Sequence, residues 1–362
     1  MTKKRKMKAV LLLLGAMALA LLTGCGSTAQ LSRYQDSFLD VFDTASMVIG
    51  YTETEKDFQT AEEQVHDALL EYHQLFDIYD EYEGINNLKT VNDAAGQHPV
   101  SVDAKIMELL KLGQEVYTLT DGKVNIASGS LLSVWHNYRE AGIDDPDSAA
   151  LPSEAELQEA AQHMDIQNMI LDEENNTVYL ADPEMRLDVG GIAKGFATEK
   201  AAELVQAAGN EHFLLNIGGN VRTLGTKGDG SSWVCPVENP EYADTGKGEE
   251  YAVVTELDDR SLVTSGDYER YYTVDGKRYH HIIDPETLYP ADYHRSVSIL
   301  TGDSALADAL STGLFLMSEE DGRALLEKLN QERSEDDQIE ALWINADGEI
   351  SYTSGFSAYL QK

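Results

Sequence analysis

The chain has 362 residues and a formal net charge of −37, from 27 basic and 64 acidic side chains. A surface this acidic repels nucleic acid and anionic lipid headgroups, so an anionic ligand must be held locally by backbone dipoles, a few cations or a metal. Two cysteines exclude a disulfide-stapled scaffold, and the length suits one large domain or two closely packed ones.

Lys3, Lys4, Arg5, Lys6 and Lys8 precede the apolar run AVLLLLGAMALALL, which ends at Leu22-Thr23-Gly24-Cys25. A basic start, an apolar middle and small residues at the end make residues 1–24 a secretory signal peptide. The run is shorter than the roughly 20 residues of a standard membrane-spanning helix. Leu-Thr-Gly-Cys resembles a bacterial lipobox, which implies a lipid on Cys25 and a globular part that works outside the cytoplasm, anchored to the cell membrane. The competing reading is an uncleaved anchor with an incidental cysteine. With Cys25 lipidated, Cys235 stands alone and the core must supply the stability. From Cys25 onward the chain carries 22 basic residues against 64 acidic ones.

Residues 25–35 lack periodicity and read as a tether. FDTASMVIGYTET reads as a strand. Val65, Leu69, Tyr72, Phe76 and Tyr79 follow helical spacing from Thr60 to Tyr79, and Ile106, Leu109, Leu110, Gly113, Val116 and Tyr117 mark a second helix stopped at Asp121-Gly122. LLSVWHNYRE reads as a third helix. Ser153 and Glu156 have capping-box spacing, and MILDEENNTVYL reads as a hairpin turning at Asn175-Asn176.

Met185 to Val189 then reads as a strand running into Gly190-Gly191-Ile192-Ala193-Lys194-Gly195 and a helix that stops at Gly209. Backbone N–H groups at such a helix start favour an anion. The loop is not a P-loop, because its lysine precedes the glycine, and alone it does not distinguish a phosphate cradle from a tight turn. FLLNIGGNVRTLG reads as a strand pair bent at glycines. Ser265-Gly266-Asp267 reads as a turn entering the hairpin YYTVDGKRYHHII, which reverses at Asp275-Gly276. SVSIL, a helix over 303–317 and a hairpin at Asp347-Gly348 complete the chain. Strands in hairpins and helices in separate blocks predict an α+β fold with largely antiparallel sheets and packed helices.

Two clusters carry chemistry. Asp308 and Thr312 lie one turn apart on a helix otherwise rich in small and apolar residues. A carboxylate and a hydroxyl are hard oxygen donors suited to Mg²⁺, while a solvated face or a lysine partner for Asp308 would explain the carboxylate equally well. His280 and His281 must face opposite sides of their strand, with Asp284-Pro285 ending it. The absence of a further Cys or His cluster argues against zinc, leaving a general base or hydrogen-bond donor as the functional reading.

Taken together, DVGGIAKGFATEKAAELVQAAG, FLLNIGGNVRTLG, TSGDYERYYTVDGKRYHHIIDP and the ADALST helix resemble the ApbE family of FAD:protein FMN transferases, in that order and spacing. FDIYDEYEGINNLKTVN and LTDGKVNIASGSLLSVW resemble its flavin-binding region. The resemblance covers the chain from about Asp36 onward, so it implies an ApbE-like, T-fold-like domain over 36–362. It implies Mg²⁺ held by Asp308, Thr312 and the main-chain carbonyl of Ala193, against the pyrophosphate of FAD, the substrate. It further implies FAD contacts from Thr44, Tyr79, Asp121, Lys194 and Ser265, and a catalytic role for His281. The implied partner is an acceptor flavoprotein whose threonine or serine hydroxyl receives FMN, with AMP released. The same site would serve a Mg²⁺-dependent FAD pyrophosphatase, and a non-catalytic flavin-binding lipoprotein would keep its pocket. The chain departs from the family pattern at Phe42-Asp43, Asn125-Ile126-Ala127, Asn220 and Cys235-Pro236.

Lipidation has a direct test. Replacing Cys25 by alanine is expected to release soluble protein or leave unprocessed precursor on fractionation; processed, membrane-retained variant would refute the lipid anchor.

Overall fold

A computed structural model describes residues 30–362; the signal segment and Cys25 lie outside them. Eight strands form one antiparallel sheet in the spatial order Ser32–Val41, Thr44–Thr52, Phe213–Ile217, Asn220–Leu224, Ser261–Gly266, His294–Thr301, Glu340–Asn345 and Ile350–Tyr352. The α+β expectation holds. The first strand starts at Ser32, so the segment expected to be tether up to residue 35 already pairs with the sheet, Ser32 opposite Thr52.

Period-two patterning gives this sheet two apolar faces. Phe213, Leu215 and Ile217 pack beneath the helices Glu55–Phe76 and Ala193–Ala207, whereas Leu214 points to the opposite layer with Leu262, Leu300 and Leu342. Val263, Val297 and Ile299 meet the helix Ser304–Phe315 through Leu310 and Leu314. A separate hairpin, Trp233–Glu238 with Tyr251–Leu257, covers the second face by burying Trp233, Cys235 and Val237. That hairpin had no sequence signal, because Pro236 argues against a strand interior. Cys235 is a buried core residue, and burial pushes its thiol up to about 12, so it is inert.

A fourth apolar cluster joins the helix Gly129–Asp144 to the small hairpin Tyr271–Val274/Lys277–His280. Trp135 Nε1 donates to the Leu288 carbonyl at 2.9 Å, and Tyr272 lies where a Cβ on Gly142 would sit. Asp275 and Gly276 both have positive φ, 51° and 79°, as a two-residue turn of this type requires. The Ser153–Glu156 capping box, the Asn175-Asn176 turn and Gly209 after Ala193–Ala207 all occur as expected.

Three local expectations change. The first helix runs Glu55–Phe76, so Tyr79 lies beyond it, on a turn where Asp77 Oδ1 accepts the Tyr79 N–H at 2.7 Å. Met185 to Val189 is extended but joins no sheet. Its backbone bonds instead to Asn92, whose amide donates to the Leu187 carbonyl at 3.0 Å and accepts the Leu187 N–H at 2.7 Å, and to Ile126 through the Asp188 N–H at 2.9 Å. Ser265 belongs to a central strand, opposite Val297, rather than to a turn. A helix over Glu319–Asn330, unmarked in the sequence reading, follows the Ser304–Phe315 helix.

The helices Ala193–Ala207 and Ser304–Phe315 approach closely at Gly195. A Cβ there would lie 2.3 Å from both Asp308 Cβ and the Ser304 carbonyl oxygen, neither of which is a flexible chain end. Gly195→Ala is therefore expected to lower unfolding stability by about 1–3 kcal/mol, the usual range for overpacking, as read by urea denaturation; unchanged stability would show that the two helices separate freely.

Candidate active site

Asp308 is the centre of the site. It sits in the Ser304–Phe315 helix with 3% of its surface exposed, and its Oδ2 accepts the Gly195 N–H at 2.7 Å. Gly195 is in the first turn of its helix, where N–H groups lack intrahelical acceptors and the dipole favours negative charge. Among the described residues no lysine or arginine lies within ion-pair distance of Asp308, which removes the lysine-partner reading. Burial raises its pKa, opposed first by the field of Lys194, then by the Gly195 N–H, Asn220 and Arg270. The Asn220 side-chain nitrogen is itself buried without a well-formed hydrogen bond.

Thr312 lies one turn further along, half-buried, against the same loop. A Cβ on Gly191 would stand 3.5 Å from Thr312 Oγ1, so the glycine leaves the hydroxyl uncovered on that side. Ala193 begins the helix directly after the loop, its N–H donating to the Val189 carbonyl at 2.9 Å. The loop is held from outside by Asn92 and from within by Asp188 Oδ1, which accepts the Gly190 N–H at 2.8 Å. A buried carboxylate without a cationic partner, a hydroxyl and a backbone turn together make a hard-oxygen seat that fits a divalent cation.

His281 approaches from the small hairpin, one residue past the end of Lys277–His280. The Arg270 carbonyl accepts both its backbone N–H at 3.1 Å and its ring Nδ1 at 3.2 Å. A carbonyl carries no hydrogen, so Nδ1 holds the proton and Nε2 offers a lone pair. Burial, followed by the charge of Arg270 and then His280, Arg139 and Lys194, pushes its pKa well below the usual histidine range. Asp284 does not aim this ring: its Oδ1 accepts from Lys123 Nζ at 3.1 Å and from the Glu286 N–H at 3.0 Å, tying the 284–289 turn to the turn after the Ala104–Leu119 helix. His280 faces the opposite way, into the core, with Nε2 donating to the Ala291 carbonyl at 2.8 Å and its ring edge-on to Phe315.

The remaining sequence candidates stand at different distances from this centre. Lys194 and His281 act on each other electrostatically, as do Lys194 and Asp308. Tyr79 is 58% exposed, its ring 5.4 Å from that of His136, and Asp188, Arg139 and Arg270 act on its hydroxyl. Asp121 is exposed with φ 51°, in a turn whose Thr120 and Val124 pack on Gly313 beside Thr312. Thr44 abuts the Gly218 turn at the end of the sheet, and no hydrogen bond joins it to the loop among the described residues. Ser265 reaches Thr312 itself, hydroxyl to hydroxyl at 3.4 Å. Sequence reasoning missed Arg139, His136 and Arg270. In a chain with so few basic residues the arginines within LLSVWHNYRE and TSGDYERYY were the available signal.

The model of the ApbE family matches residues 39–350, and the chain belongs to that family. The FAD:protein FMN transferase of Klebsiella pneumoniae (strain 342) is 33% identical over 288 residues, spanning 78% of this chain and 83% of its own. The FAD:protein FMN transferase of Treponema pallidum (strain Nichols) is 33% identical over 350 residues, 91% and 90% of the two chains. The crystal structure of the ApbE protein from Thermotoga maritima superposes with a TM-score of 0.77 at 29% identity, covering 92% of this chain and all of that one.

A raised carboxylate pKa has a stability consequence with a definite sign. Folding opposes ionisation of Asp308, so its cost is absent below the unfolded pKa of about 3.9 and develops as pH rises through the folded value. Asp308→Asn keeps an acceptor for the Gly195 N–H. In metal-free buffer it is expected to melt above the wild type at pH 7, the difference vanishing as pH falls toward 3; an equal or lower Tm at pH 7 would show that the buried charge is already compensated.

Proposed function

We propose that the protein transfers the FMN part of FAD to a threonine or serine hydroxyl of an acceptor flavoprotein, on the outer side of the cell membrane to which Cys25 anchors it. The observation that carries this reading is that the same two cations, Lys194 and Arg270, act on Asp308, beside Thr312 and the Ala193 turn, and on His281, whose Nδ1 is engaged by the Arg270 carbonyl. The acceptor oxygen forms a bond to the FMN-side phosphorus, the bond from that phosphorus to the AMP phosphate breaks, and AMP leaves with the electron pair. The hydroxyl proton passes to His281 Nε2, while the Arg270 carbonyl holds Nδ1–H and stabilises the imidazolium that results. Lys194, Arg139 and Arg270 supply positive potential for the pyrophosphate on an otherwise acidic molecule. Bound at Asp308, Thr312 and the Ala193 carbonyl, Mg²⁺ would neutralise pyrophosphate charge and favour departure of AMP.

The test uses FAD, Mg²⁺ and a flavoprotein domain bearing an acceptor threonine, with covalent flavin fluorescence read on a denaturing gel. Label is expected from the wild type, lost in EDTA and in Asp308→Asn. Release of free FMN without label would replace the transferase by a pyrophosphatase, and FAD binding with neither product would leave a binding protein. His281→Ala should bind FAD normally by fluorescence titration yet transfer FMN about 10²–10⁴-fold more slowly, the usual worth of general acid–base help. His280 is no neutral control, because its buried ring bonds to Ala291 and Ile282.

The pH profile follows from the lowered His281 pKa. Activity requires the neutral ring, so the rate rises with pH through that pKa. In free enzyme burial first, and the neighbouring cations second, hold the limb of kcat/KM below about 6.5. Bound pyrophosphate offsets those cations, so the limb of kcat should lie at higher pH. Coincident limbs would place the histidine away from the phosphates.

A further inference from the structure

Three hydroxyls beside the loop form a chain whose proton directions follow from counting hydrogens. Ser311, fully buried in the Ser304–Phe315 helix, lies 2.9 Å from the carbonyl oxygen of Asp308. That oxygen can only accept, so Ser311 donates its single hydrogen there. Ser265 Oγ stands 2.8 Å from Ser311 Oγ, and Ser311 has no hydrogen left, so Ser265 donates into it. Ser265 Oγ is also 3.4 Å from Thr312 Oγ1, and with its own hydrogen used it can only accept. Thr312 therefore turns its proton toward Ser265, and its lone pairs toward the side that Gly191 leaves bare.

We infer that Ser265 and Ser311 are positioning residues: a directed hydroxyl relay from the central sheet that presets Thr312 Oγ1 as an acceptor for the cation. This deepens the metal reading of the site and rests on it. A threonine hydroxyl is free to rotate, and with its proton turned into the seat it would repel a cation. A helical threonine commonly donates to the carbonyl four residues back, here that of Asp308; among the described residues Thr312 Oγ1 makes no such bond and stands against Ser265 instead. Ser265 pairs opposite Val297 on a strand whose other side is paired through Val263, so its position is set by the sheet rather than by the flavin. Its role is thus one step removed from the direct FAD contact implied by family resemblance.

Mn²⁺ binding, counted from the electron paramagnetic resonance signal of the free ion, tests the relay without requiring turnover. Asp308→Asn supplies the background of the acidic surface. Above that background, Ser265→Ala is expected to weaken Mn²⁺ binding about 10-fold, the lower end of the effect of removing an outer-shell partner, with Ser311→Ala weakening it in the same direction. Ser265→Thr, which keeps the hydroxyl, should restore affinity. Wild-type affinity in Ser265→Ala would overturn the relay, as would equal losses in Ser265→Ala and Ser265→Thr, which would indicate packing alone. Identical titrations of wild type and Asp308→Asn would instead remove the metal seat, a distinct result that takes the relay with it.

Discussion

The bond from the Gly195 N–H to Asp308 Oδ2 is the constraint around which the molecule is arranged. It places a carboxylate in the seam between two helices, where a side chain on residue 195 has no room. Burial makes the charge unfavourable, and the backbone donor and the dipole at the helix start offset only part of that cost. The seam sits above the middle of the central sheet, with Val263, Val297 and Ile299 packed under one helix and Phe213, Leu215 and Ile217 under the other. The large apolar core keeps in place a polar contact that would not form by itself.

Electrostatics then separates the site from the rest of the surface. Most basic side chains elsewhere have acidic partners: Arg278 and Arg295 share Asp244 and Asp267 in a closed ring, and Arg222 lies between Glu199 and Asp259. Around the glycine loop Lys194 and Arg270 form no ion pair among the described residues, whereas Arg139 keeps one with Glu140 at 3.2 Å. Lys194, Arg270 and Arg139 act together on His281, and Lys194 and Arg270 on Asp308. A strongly anionic protein can hold an anionic substrate because this local excess works at short range, where the distant negative charge is screened.

The two halves of the chemistry come from separate layers. The helices over the sheet carry Asp308, Thr312 and Lys194, while the hairpin carrying His281 is anchored by Trp135 and Tyr272 to the helix that bears Arg139. Lys123 spans the gap, bonding to Asp284 and Glu286 from the turn that packs beside Thr312. Proton handling and phosphate binding are therefore positioned largely by different packing contacts, joined by Lys123 with its two carboxylate partners, by the His280 ring against Phe315 and by the Arg278–Asp267–Arg295 bridge.

Local chemistry was readable directly from the sequence. Asp275-Gly276 and Asn175-Asn176 marked hairpins because few residues tolerate positive φ, and Ser153 with Glu156 marked a helix start because a cap needs that spacing. The one-turn spacing of Asp308 and Thr312 identified a paired donor face, and the alternation of a strand set His280 against His281. Neither pattern says what lies opposite, since that depends on contacts between segments remote along the chain. Only the tertiary structure decided that Asp308 meets a backbone N–H rather than a lysine, that Arg270 rather than Asp284 orients His281, and that Met185 to Val189 is clamped by Asn92 instead of entering a sheet. Ser265 shows the limit most clearly: its Ser-Gly-Asp neighbourhood has the composition of a turn, but pairing with the strand His294–Thr301 draws it into the sheet and against Thr312. Composition and period report what a segment prefers by itself, whereas the partners of a polar atom are chosen by burial of the apolar residues around it.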